Sequence, residues 1–62
     1  MERKEYPNGI AVEVDIASDA LVARVYDDGV LKKSFESNNA HDEAGLYARV
    51  LVRVKGHRAL RN

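Results

Sequence analysis

The feature that most constrains this chain is the Asp28-Gly29 pair inside ALVARVYDDGVLKKSF, residues 20–35. A two-residue turn of the primed type needs positive φ, which Gly supplies cheaply, so Asp-Gly between alternating apolar residues predicts a tight hairpin. Side chains on a strand alternate between faces. One face of this hairpin then carries Leu21, Ala23, Val25, Leu31 and Phe35, and the other carries Val22, Arg24, Tyr26, Lys32 and Ser34. A lone hairpin is marginal in water, so its apolar face must be covered by another part of the chain.

Upstream, IAVEVDI at residues 10–16 alternates Ile10, Val12, Val14 and Ile16 with Ala11, Glu13 and Asp15, the pattern of a half-buried strand. Ala17-Ser18-Asp19 links it to the hairpin, and sequential strands usually neighbour each other. The expected sheet is a three-stranded antiparallel meander. Its polar face carries Glu13, Asp15, Arg24, Tyr26 and Lys32, where opposite charges on neighbouring strands pair. Residues 1–9, MERKEYPNG, read as a flexible lead-in ending in the turn-forming Pro7-Asn8-Gly9.

After the hairpin, Ser37-Asn38-Asn39 offers cap residues, and Asp42 and Glu43 suit the first turn of a helix. A helix from Ala40 to Lys55 places Ala40, Ala44, Tyr47, Val50, Leu51 and Val54 on one arc, with Asp42, Arg49, Arg53 and His57 opposite. Gly56 stands where a left-handed residue ends a helix. A competing strand pattern runs through Leu46, Ala48, Val50, Val52 and Val54. The caps, and the need to cover the sheet, favour the helix. The expected fold is therefore α+β: one domain over residues 1–62, with a three-stranded antiparallel meander and a C-terminal helix packed on one face (βββα).

Composition narrows the function. Ten Lys and Arg cancel ten Asp and Glu, unlike a strongly basic nucleic-acid binder. The balance is uneven, however. Arg49, Arg53, Lys55, Arg58 and Arg61 lie in a C-terminal stretch without acids. There is no cysteine, hence no disulfide framework or thiolate metal site. No apolar run approaches the roughly 18 residues of a membrane span. A cytoplasmic, membrane-free protein is expected. Glu13 and Asp15 lie two apart on one strand face, but Arg24 beside them predicts an ion pair and not an acid–base couple. His41, Asp42 and Glu43 are consecutive and so face different ways on a helix, which suits solvated first-turn residues better than a metal site. No phosphate loop and no nucleophile with a base is present. No enzyme activity, cofactor, metal or small-molecule substrate is expected.

Residues 20–35, followed by Glu43-Ala44, Tyr47, and then Gly56, Ala59 and Asn62, resemble the ethylene-response-factor type of DNA-binding domain and the related arm-binding domains of phage-type integrases. The chain departs from that pattern in lacking Trp and in carrying Glu13 and Asp15 on its first strand. The resemblance implies a sheet face lying in the DNA major groove. Arg24, Tyr26, Lys32 and Lys33 would stand on the sheet, with Arg49 and Arg53 on phosphates. Residues 10–27, followed by a helix with Glu43-Ala44, are also similar to the HicB type of antitoxin. That likeness implies oligomerisation or inhibition of a partner. Two expectations follow. One is a small non-catalytic regulatory domain binding nucleic acid through its exposed sheet face. The other is a protein-interaction module, a dimeric inhibitor or antitoxin-like regulator, that does not touch DNA.

Overall fold

The computed structural model describes residues 1–61, with side chains through Arg58. Asn62 and the side chains of Ala59 and Arg61, named above, lie outside the described residues. The fold is α+β. Strands β1 (Glu2–Glu5), β2 (Ile10–Ile16), β3 (Leu21–Asp27) and β4 (Val30–Ser37) form one antiparallel sheet in the order β1-β2-β3-β4, and helix α1 (Ala40–Arg61) follows. The helix packs on one face of the sheet, chiefly over β2, β3 and β4.

The sheet has four strands, not three, because the N-terminal segment is strand and not a flexible lead-in. Pro7-Asn8-Gly9 closes a hairpin, with Asn8 at φ 65° and Gly9 at φ 78°. The Tyr6 N–H donates to the Ile10 carbonyl at 2.8 Å. Glu2 to Glu5 then pair with Val14 to Ala11. All four residues of β1 are exposed and charged, so no hydrophobic alternation marks it. The second hairpin is as expected: Asp28 and Gly29 both take positive φ, 51° and 83°.

Register assigns the faces. Val12 stands opposite Lys4 and Val25, and Val14 opposite Glu2 and Ala23, on the helix side. The β3–β4 pairing then slips. Val25 pairs with Lys33 but Tyr26 pairs with Leu31, leaving Lys32 as the extra residue of a bulge. Leu31 is thereby turned to the face away from the helix and is 50% exposed, a correction to its expected place in the core. Ile16, also expected inside, ends its strand exposed.

The helix resolves the ambiguity over residues 46–55: the segment is not a strand. It also runs through Gly56, which takes no positive φ and ends nothing. Its start is as read. The Asn39 carbonyl accepts the Glu43 N–H at 3.0 Å, and the Ser37 hydroxyl donates to Glu43 at 2.6 Å. Its inner face differs from expectation. Ala40, Ala44 and Ala48 are fully buried against Ile10, Val12, Val14, Ala23 and Val25, while Val50 is 57% and Val54 40% exposed. Small residues at four-residue spacing bring the helix backbone close to the sheet. Leu51 and Val52 are half-buried beside them, while Leu46, Val50 and Val54 are left outside.

Candidate functional site

The sheet face away from the helix is built in rows across the strands. One row is Arg3, Glu13, Arg24 and Ser34; the next is Asp15, Val22 and Glu36; on the other side stand Glu5, Ala11, Tyr26 and Leu31. Arg3 Nη1 donates to Glu13 Oε2 at 2.6 Å, and Arg24 Nη1 lies 3.6 Å from Asp15 Oδ2. The expected cross-strand pairing of charges is present, with β1 adding a member. Glu5, Glu13, Asp15 and Glu36 slightly outnumber Arg3, Arg24 and Lys32 on this face.

The six residues expected to bind nucleic acid divide among three surfaces. Arg24, Tyr26 and Lys32 share the outer sheet face, and Arg24 there is bridged to Asp15. Lys33 pairs with Val25 and so stands on the helix side, its Nζ 5.7 Å from the Phe35 ring centroid and 5.9 Å from that of Tyr47. Arg49 and Arg53 are exposed on the helix, with no acidic partner at ion-pair distance among the described residues.

Three arrangements were not read from the sequence. The first joins both hairpins to the helix. Lys55 Nζ donates to Asp27 Oδ1 at 2.6 Å, to the Asn8 carbonyl at 2.5 Å and to Asp28 Oδ2 at 3.2 Å. Asn8 Nδ2 donates to the Val52 carbonyl at 3.0 Å, and the Asp28 N–H to the Gly9 carbonyl at 2.9 Å. The hydrogen bond to Asp27, with Asp28 beside it, holds the Lys55 ammonium above its ordinary range against the opposing pull of partial burial. This cluster ties elements together and presents no reactive group.

The second is a cleft of about 720 Å³ between β1 and the helix, floored by Val12 and Val14 and walled by Glu2, Lys4, Gly45 and Arg49. It exists because the helix covers β2 to β4 and leaves the inner side of β1 open. Acid and base alternate around it.

The third is the flank of the helix that overhangs β4. The Ser37–Glu43 hydrogen bond and the edge-to-face contact of Phe35 with Tyr47, centroids 5.8 Å apart, show that residues 43 and 47 face β4. Val50 and Val54 continue that line at helical spacing. Val30 shares the helix side of the sheet through its pairing with Asp27 and is 59% exposed. Leu46 is 64% exposed further around the helix, while Val22 and Val52 are half-buried. Beside this line runs β4 itself, exposed over most of its eight residues and unpaired along its outer edge. Chemically, the flank offers backbone donors and acceptors in a row under an apolar ledge.

Among the described residues no three His, Asp or Glu side chains gather where a metal could sit, and no helix is long and apolar enough to cross a membrane. No family model, curated protein or solved structure matches this chain.

Proposed function

We propose that this chain is a non-catalytic protein-interaction module and that its contact surface is the β4 flank. The observation that carries this reading is the rotation of the helix: Ala40, Ala44 and Ala48 are buried while Val50 and Val54 stand in solvent beside an unpaired strand. Single exposed apolar residues are ordinary. Several in a line, along an open sheet edge, form a surface suited to a protein partner that adds a strand and covers the ledge.

The nucleic-acid reading has less support. Phosphate binding needs uncompensated cations on one surface. Arg24 is bridged to Asp15, Lys33 lies on the other side of the sheet, and the outer face carries more acid than base. Among the described residues Arg49 and Arg53 have no acidic partner at ion-pair distance, but two charges on one helix are too few for more than weak contact.

Amide NMR spectra separate the readings. Under the interaction reading, signals from Val30–Ser37 and 47–54 change with protein concentration or added partner. Adding a mixed-sequence DNA duplex at low salt then leaves Arg24, Tyr26 and Lys32 in place. Duplex-induced shifts at those three residues that fade as salt is raised would overturn it.

A further inference from the structure

We infer that the partner on the β4 flank is a second copy of this chain, joined by antiparallel β4–β4 pairing centred on Ser34. This rests on the interaction reading above and adds an occupant and a register to it.

The two sheet edges are unequal. β1 has four residues, every one of them charged and exposed, which is how natural edges discourage pairing. β4 has eight, with Phe35 and the helix ledge on its inner side. If two copies pair along β4 with their helices on the same side of the joined sheet, paired residues must share a face. In a symmetric antiparallel pairing this restricts the centre of symmetry to a residue, not to the gap between two residues.

Charge then selects among the centres. Centring on Lys33 sets that ammonium against its own copy. Centring on Phe35 leaves Lys32 opposite Asn38, beyond the strand. Centring on Ser34 sets Lys32 opposite Glu36 of the copy, and the two-fold axis repeats the pair. On the inner side the same register sets Lys33 opposite Phe35 of the copy, again twice. Lys33 already lies over that ring within one chain, so the contact is chemically familiar to both groups. The bulge bounds the pairing: it turns Leu31 to the outer face, out of step with Ser37 of the copy, so the paired stretch runs from Lys32 to Glu36.

Pairing of this kind lays the two helices side by side above a continuous eight-stranded sheet, twice the four strands of one chain. The flanks that meet carry Tyr47, Val50 and Val54 from each copy, three apolar residues that the single chain leaves partly or largely exposed; Leu46 lies further around the helix and stays outside the contact. Self-pairing thus accounts for the open edge, the charge order along it and the apolar ledge with one partner.

Sedimentation velocity from about 10 μM to about 1 mM tests the inference. The wild-type chain should be a dimer at the upper end. Lys32→Glu and Glu36→Lys each set like charges opposite one another twice, and each should weaken the dimer by about tenfold or more. The double variant Lys32→Glu/Glu36→Lys restores the opposite charges and should recover it. Both residues are exposed in the single chain, so unchanged circular dichroism serves as the folding control. A wild-type monomer at the highest concentration overturns the second-copy inference and leaves the flank to a different partner. A dimer indifferent to both charge changes but broken by Val50→Asp overturns the register alone. A dimer indifferent to all of these variants overturns the flank reading too.

Discussion

Replacing Ala44 by Leu tests whether the helix is held close to the sheet. On hydropathy alone the change looks favourable. Leu is nearly as good a helix former as Ala, and burying three more carbons at about 0.8 kcal/mol each would add about 2.4 kcal/mol. The structure reverses the sign. Ala44 has no exposed surface and lies with Ala40 and Ala48 against Val12, Val14, Ala23 and Val25. There is no open side into which a longer side chain can turn, so the helix must lift or the core must leave its rotamers. Overpacking of this kind costs about 1–3 kcal/mol. A domain of 62 residues has about 3–9 kcal/mol in total, and each kcal/mol moves its melting temperature by about 4–8 °C. Ala44→Leu should therefore lower the melting temperature by about 8–16 °C for a loss of about 2 kcal/mol. The assay is thermal and urea unfolding followed by far-UV circular dichroism, at a concentration low enough to exclude association. Leu46→Ala on the exposed side is the control and should stay within about 0.5 kcal/mol of wild type. An Ala44→Leu chain as stable as wild type, or more so, would show that the alanine stripe does not set the helix–sheet distance.

Other substitutions probe the ends of the fold. Gly56→Ala should raise stability by about 0.5–1 kcal/mol in urea titrations, because Gly56 is helical and an added Cβ comes only to 3.7 Å of Asn8 Nδ2; a loss of stability would restore it as a left-handed cap. Gly9→Ala should cost about 1–2 kcal/mol in the same titrations for its positive φ alone, and more because the new Cβ would collide with the Asp28 carboxylate; an unchanged urea midpoint would refute both terms. Lys55 has its pKa raised above the ordinary 10.5 by folding, so its contribution is complete below that value and is lost as pH climbs through the folded-state pKa. Stability should accordingly fall at strongly alkaline pH, and Lys55→Met should flatten that fall relative to wild type in parallel urea titrations; equal slopes would detach Lys55 from the effect.

The sequence was legible where side-chain period and turn chemistry agreed. Residues 10–16 and the Asp28-Gly29 hairpin form their strands and turn as read, with Ile16 and Leu31 the two residues that do not face as expected. β1 was hidden because an edge strand with both faces wet has no hydrophobic period; Glu-Arg-Lys-Glu becomes strand through its partner. The available signal was Asn8-Gly9 itself, a hairpin pair as well as a turn. Leu31 was misplaced because a bulge shifts parity after one residue, and nothing in VLKKSF marks which residue is extra. Of the candidate site residues, Arg24, Tyr26 and Lys32 were rightly grouped on one face. Lys33 shares a strand with Lys32 but not that face, and Arg49 and Arg53 sit on the helix.

The helix was legible in existence and misread in rotation, and the reason links fold to function. Apolar moment favours turning Val50 and Val54 inward, yet two sets of polar contacts hold the helix otherwise. At its start the Ser37 hydroxyl engages Glu43; near its end Lys55 reaches Asp27, Asp28 and the Asn8 carbonyl while Asn8 holds the Val52 carbonyl. Residues 44, 48, 51, 52 and 55 must then face the sheet, and 50 and 54 cannot. Rotating the helix to bury both valines would swing Lys55 away from two carboxylates and a carbonyl, groups that otherwise face each other at the meeting of two hairpins. An interior of alanines contributes little hydrophobic energy per residue, so a chain selected only for monomer stability would be expected to place its valines inside. Directional contacts instead fix the valines above β4, where a second strand edge and a second helix flank can cover them.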